Sequence, residues 1–235
     1  MASAWGKGRE KRLFERRSGL PLVTLLLTVL CLAVYILIAL LPPLQHRIVI
    51  EVAGVNPSSM ARAFAMPVSE WHAATFRPLL AALFVHVEFL HLLGNLAYLW
   101  VFGIPIERLR GALFLLLVFI LGGAGAYLIL AQRLPQVDTI VIGASGAVSA
   151  VLGAYLGLFP GRQIGLYLPL GLVVQSVRVP ALLVIGSWFA LQLLYSMVGP
   201  ISGMMAWWIH LTGFALGLML ALLARAASHF RPRRY

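Results

Sequence analysis

Charge is scarce in this sequence. Of 235 residues only 11% are charged, while 61% are hydrophobic. A soluble domain coats its surface with about 25% charged residues, so the composition excludes an ordinary water-soluble globule. Acidic groups are scarcer still, seven against 18 Lys and Arg, and Asp138 is the sole aspartate. Cysteine is nearly absent as well. The single Cys31 rules out an intramolecular disulfide and falls inside an apolar run, where it reads as packing. The length fits one membrane domain of several helices and leaves no room for a second sizeable soluble domain.

What charge there is lies at the ends. The net charge of +11 comes largely from Lys7, Arg9, Lys11, Arg12, Arg16 and Arg17 at one terminus and Arg225, Arg231, Arg233 and Arg234 at the other. These clusters flank apolar runs, which is the pattern of a topology signal and not of a nucleic-acid surface.

A spanning helix needs about 20 mostly apolar residues. Six runs qualify, at about Leu20–Leu41, Leu79–Phe102, Ala112–Ala131, Val141–Phe159, Ala181–Val198 and Met205–Ala224. The expected fold is therefore all-α, a polytopic bundle of six transmembrane helices over residues 19–225, between basic tails at 1–18 and 226–235. The first run is longer than a signal-peptide core and lacks a clean cleavage site, so it reads as a retained helix. With a cytoplasmic N-terminus, the cytoplasmic segments hold both tails plus Arg108, Arg110, Arg162 and Arg178. That leaves only Arg47, Arg62, Arg77 and Arg133 outside. Both termini are then expected to be cytoplasmic, which agrees with an even number of spans. Short surface helices are expected in the long outer loop, at about Pro42–Pro78. No convincing internal repeat is visible, which weighs against an inverted-repeat transporter.

Polar groups inside spans are costly and by default mark function. Span two carries His86, Glu88, His91 and Asn95; span four Ser145 and Ser149; span five Gln192; span six His210 and Thr212. In Gly143-Ala144-Ser145-Gly146 the small residues explain close helix packing, but alanine in place of Ser145 would pack as tightly without the polar cost. Ser145 and His210 fall at similar depth on helices that run in the same direction, and Gly213 and Gly217 favour close approach of those helices. A serine hydroxyl needs a base within about 3 Å to become a nucleophile, and histidine suits that role at neutral pH. Without a carboxylate in span six, a Ser–His dyad is expected, with aromatic packing holding the imidazole. His91 and Asn95, four apart, share a helical face and are expected to stabilise an oxyanion. His86, five before His91, falls well round that helix and reads as structural. The histidines do not follow the His-Glu-x-x-His spacing of a zinc protease, so neither metal nor cofactor is expected.

These segments resemble the rhomboid intramembrane serine proteases from about Phe76 to Leu222. His86-Val-Glu-Phe-Leu-His91-Leu-Leu-Gly-Asn95 resembles the family's H-x4-H-x3-N. Phe102-Gly103 through Glu107 and Gly111, then Gly143-Ala144-Ser145-Gly146, then His210-x-x-Gly213-x-x-x-Gly217 match its later signatures in order. The resemblance implies Ser145 as nucleophile, His210 as general base, and His91 and Asn95 in the oxyanion hole beside backbone N–H groups near Ser145. It assigns Glu107 to a structural network on the inner side. It further implies transmembrane protein substrates, cut from a water-filled cavity open to the outer face. The compact plan resembles prokaryotic members, which places the protein in a cell (inner) membrane. Two positions depart from the family. Ser149 stands where an aromatic often packs on the histidine, which leaves Tyr155, Trp207 or Trp208 as candidate supports. Phe76-Arg77 stands near a common Trp-Arg. A catalytically silent relative that binds unstable transmembrane helices is the alternative, and a small transporter or channel is a third class.

Overall fold

The computed structural model describes residues 19–170 and 173–229. The expectations for the two basic tails lie almost wholly outside those residues. Helix α1 spans Leu22–Ala39. It is succeeded by two short helices, α2 (Pro43–Ala53) and α3 (Pro57–Ala65), each started by a proline whose missing N–H costs nothing in the first turn. A 3-10 turn at Val68–Glu70 leads into α4 (Ala73–Ala81). The long segment at about 42–78 therefore does fold into short helices.

The second span differs from its expected position. The chain leaves α4 through tight turns and becomes helical again only at α5, Phe89–Tyr98. The segment then passes through a π turn at Leu99–Gly103 and ends as α6, Ile104–Arg110. Pro105 supplies a physical reason for the π turn. Proline has no N–H to give to the carbonyl four residues back, and its ring crowds that carbonyl, so the helix widens just ahead of it. Together Phe89–Arg110 form one apolar segment long enough to cross a membrane.

Helix α7 spans Ala112–Arg133 and α8 spans Ser145–Leu158. The strands β1 (Gln163–Leu170) and β2 (Val173–Pro180) pair antiparallel, Gln163 opposite Pro180. This hairpin is an addition to a mostly helical fold, and β2 carries Val173, Val174, Val177 and Val179, residues that favour strands. The last two helices are α9, Ala181–Val198, and α10, Ile201–His229. Among the described residues five segments are long and apolar enough to span, and α8 is a shorter apolar helix. The protein is thus a mostly helical, integral membrane bundle.

The short helix is the centre of it. Eleven of its fourteen residues are buried, which a lipid-facing helix would not show. Small residues bring its neighbours to backbone contact. A Cβ on Gly213 of α10 would overlap the Gly146 carbonyl oxygen, and one on Gly217 would overlap that of Ala150. On the other side, Gly122 and Gly123 of α7 lie against Ala150 and Ala147. In a bilayer such contact is a main source of helix association, because burial away from water contributes nothing further.

Two polar contacts lock the periphery onto this core. Glu107, buried on α6, accepts hydrogen bonds from Val23 N (2.8 Å), Thr24 N (2.9 Å) and Thr24 Oγ1 (2.7 Å). It thereby satisfies orphan donors at the start of α1, where a carboxylate also suits the helix dipole. At the end of α8, Arg225 donates to the Gly157 carbonyl at 2.7 Å.

Candidate active site

Helix α8 is about 21 Å long at 1.5 Å per residue, shorter than the hydrocarbon core of about 30 Å. At least one end must therefore stop within the thickness of a bilayer. The end that begins at Ser145 is preceded by extended chain, so residues 140–144 place non-helical backbone next to the apolar core. Such backbone needs its polar groups satisfied by protein or a water-filled cavity.

Within this segment the backbone groups of Val141, Gly143 and Ala144 are paired with protein. Val55 and Val141 exchange N–H···O bonds of 2.9 and 2.8 Å. Gly143 N–H donates to Ala82 O at 2.8 Å, and Tyr127 Oη donates to Gly143 O at 2.7 Å. Ala144 N–H donates to His86 Nε2 at 3.2 Å. Gly143 has φ +118°, a backbone region that L side chains avoid, and a Cβ there would meet His91 Cε1 at 2.9 Å. The glycine two before Ser145 is thus required twice, by the turn and by the imidazole beside it.

Helix α8 then starts with free donors. Ser145, Gly146 and Ala147 are its first three residues, and their N–H groups have no acceptor among the described residues. The Val148 N–H, by contrast, reaches Ala144 O at 2.8 Å.

Around this start the structure gathers the expected residues. A cavity of about 330 Å³ is lined by Ser145, His210, His91 and Asn95 together with Tyr98, Trp188, Gln192 and Tyr195 and several small or apolar side chains. Ser145 and His210 come from helices that touch at Gly146 and Gly213, one residue beyond the serine and three beyond the histidine. No hydrogen bond joins Ser145 Oγ to the imidazole in this structure.

His86 corrects the sequence reading. The helical-phase argument that sets it apart fails because residues 82–88 are not helical. Its Nε2 faces Asn95 Nδ2 at 3.1 Å as well as Ala144 N, and its ring lies 5.4 Å from that of His91. A backbone N–H can only donate, so Nε2 is an acceptor and the proton of the neutral ring resides on Nδ1, turned toward Phe84 O at 3.4 Å. His86 therefore orients the Asn95 amide. One of the two amide hydrogens is held by His86 and the other is left for the cavity.

The support of His210 is also corrected. Tyr155 packs on Phe102 and Phe159, Trp207 on Phe189, and Trp208 lies under the Arg133 guanidinium. None of the three reaches the imidazole. Trp188 of α9 does, with ring centroids 4.8 Å apart and planes at 43°. Ser149 cannot help, since its hydroxyl donates to Ser145 O at 2.7 Å. Trp188 is not among the supports expected from sequence; the one available signal is its place four before Gln192 on one face of an apolar span. Asp138 lies apart from Ser145 and His210, taking hydrogen bonds from Asn56 Nδ2 and Ser58 Oγ. Among the described residues no three of His, Cys, Asp and Glu come together as a ligand set.

The fold and this cavity define a class: a helical membrane protein with a serine and a histidine lining one cavity at the start of a short central helix. Residues 72–227, more than half of the chain, match the family model of the Rhomboid domain, and the chain belongs to the rhomboid family. No curated protein matches the chain. Rhomboid proteins are mostly intramembrane serine proteases.

Proposed function

We propose that the protein is an intramembrane serine endopeptidase that cuts transmembrane proteins within or beside their spans. One observation carries this reading: Ser145, His210, His91 and Asn95 all open onto a single cavity at the head of α8. Polar groups are too costly in a bilayer to converge without use.

In the proposed mechanism, Ser145 Oγ attacks the scissile carbonyl while His210 takes its proton. The charge that develops on the carbonyl oxygen is met by the Ser145 N–H, the free Asn95 amide hydrogen and His91. His210 then returns the proton to the leaving amine. Water activated by the same imidazole releases the acyl group, and the serine is restored. The substrate backbone must leave its helical bonds before it can react, so helix-destabilising segments are preferred.

The positive-inside bias supports cytoplasmic termini, and hence a cavity near the outer face of the membrane, while the resemblance of the compact plan to prokaryotic members supports an inner membrane. The partners in this reading are substrate spans and the bilayer; no nucleic acid and no metal take part. The alternative, an inactive relative that binds unstable helices, gives no reason to retain both Ser145 and His210.

The test uses purified protein in proteoliposomes with a labelled transmembrane substrate. Wild type should cleave it and should react covalently with a fluorophosphonate. Ser145→Ala and His210→Ala should do neither. Cleavage that persists in Ser145→Ala would sink the dyad.

A further inference from the structure

A general base has to be held within about 0.5 Å and 10–20° of its working geometry. His210 lacks the usual means. Its Nδ1 is buried without a hydrogen-bond partner among the described residues, so no carboxylate or carbonyl there fixes the ring. The adjacent helix α8 offers only Ser149, whose hydroxyl is already spent on Ser145 O. Among the described residues, Trp188 is the one aromatic ring packed against this imidazole, tilted at 43° with centroids 4.8 Å apart.

Trp188 is itself braced. Its indole lies 6.0 Å from the Tyr98 ring on α5 and 4.9 Å from Phe189. A row Tyr98–Trp188–His210 therefore crosses the cavity and connects α5, α9 and α10. Yet α9 is the most peripheral of the spans. Only 11% of its span is buried, against 44% for α7. Its contribution to the cavity is the face of Trp188, Gln192 and Tyr195, spaced by four and three residues.

We infer that Trp188 is the positioning residue for His210, so that the base is aligned only while α9 is seated against α5 and α10. This rests on the dyad reading above and adds a dependence to it. Where the nucleophile's own helix would brace the base, the base here is braced from the most lipid-exposed wall of the cavity. A shift of α9 that widens the cavity also releases the imidazole.

The experiment compares Trp188→Ala, Trp188→Leu and Trp188→Phe with wild type as full-length protein in proteoliposomes. Leucine fills much of the space without a ring, so a folded non-aromatic variant is available if alanine melts early in thermal unfolding. Leu191→Ala, on the lipid-exposed side of the same helix, is the control. The measurements are kcat and KM for a labelled transmembrane substrate and the rate of fluorophosphonate labelling.

Trp188→Ala and Trp188→Leu should lose roughly tenfold or more in kcat and in labelling rate, the scale of a modest misalignment. KM should stay within about twofold, as expected when a transition-state interaction alone is lost. Trp188→Phe should recover most of the rate, and Leu191→Ala should match wild type. Trp188→Ala acting as fast as or faster than wild type would make Trp188 a mere wall and overturn the inference. A rise in KM alone, or equal losses in Phe and Leu variants, would make it a substrate contact and overturn it too. Inactive wild type would instead fail the protease reading and take this inference with it. That outcome is separate from an active wild type that is indifferent to residue 188.

Discussion

The geometry of the helix seam makes Gly213→Ala a sharp test. The added Cβ would overlap the Gly146 carbonyl oxygen, with the carbonyl carbon at 3.0 Å and Cα at 3.3 Å. These are backbone atoms, so no side-chain rotation relieves the contact. Real Cβ atoms essentially never approach within 3.0 Å, so α8 and α10 must move apart at the crossing. A separation of about 1 Å there is transmitted to the dyad with little loss. The serine is one residue from one contact atom and the histidine three from the other, or about 4.5 Å along the axis at 1.5 Å per residue. A misplacement of about 1 Å can lower the rate about a hundredfold. The assay is the fluorophosphonate labelling rate of Ser145 in proteoliposomes, with thermal unfolding in detergent to establish that the bundle remains folded. Two controls calibrate it. Gly186→Ala meets nothing within 4 Å and should behave as wild type. Gly125→Ala meets only the movable Leu216 Cδ1 and should lose little. A folded Gly213→Ala that labels at the wild-type rate would refute the claim that the seam sets the distance between Ser145 and His210.

The polar contacts make further outcomes testable. Asn95→Ala should lower kcat by about 10²–10³, the scale for loss of one oxyanion donor, while the melting temperature changes little; unchanged kcat would make Asn95 a packing residue. Gly143→Ala, strained at φ +118° and pressed on His91, should lose labelling as well as stability. Full activity there would show that the turn and the imidazole can both yield. Glu107→Gln should destabilise the protein by about 2–3 kcal/mol, because a charged acceptor of three hydrogen bonds is weakened. Denaturation in detergent reads this, and a wild-type midpoint would deny that the α1 anchor matters. Tyr127→Phe leaves the Gly143 carbonyl with no donor and should cost about 1–3 kcal/mol by the same assay, with an unaltered midpoint as the contrary result.

The apolar runs and the sparse polar residues within them are legible in the sequence because the bilayer punishes every exception. α9 falls on its expected boundaries, α7 extends two residues beyond its own, and Ser145, His210, His91 and Asn95 share one cavity. The less legible parts are those where the chain stops being helical inside an apolar run. Hydropathy does not register the break at 82–88, so helical phasing misplaces His86 and hides its hold on Asn95 and Ala144. For the same reason hydropathy starts the fourth span at Val141, although Val141–Ala144 are tied instead to Val55, Ala82, Tyr127 and His86. Trp188 is obscure for another reason. It supports His210 across helices, and no spacing rule along one helix reveals a contact between two.

The π turn ahead of Pro105 acts as a phase adjuster. Upstream, α5 presents Asn95 to the cavity; downstream, α6 presents Glu107 to α1. A regular helix turns about 100° per residue, and a π turn takes up one residue more than an α turn. The azimuth of the chemical end is thereby set independently of the anchoring end. Removing one residue between Leu99 and Gly103 would let the segment run as a plain helix with both ends near their present azimuths, whereas straightening the turn with every residue kept would swing one end by about 100°. The widened turn is a joint between two alignments that an uninterrupted helix would force into a compromise.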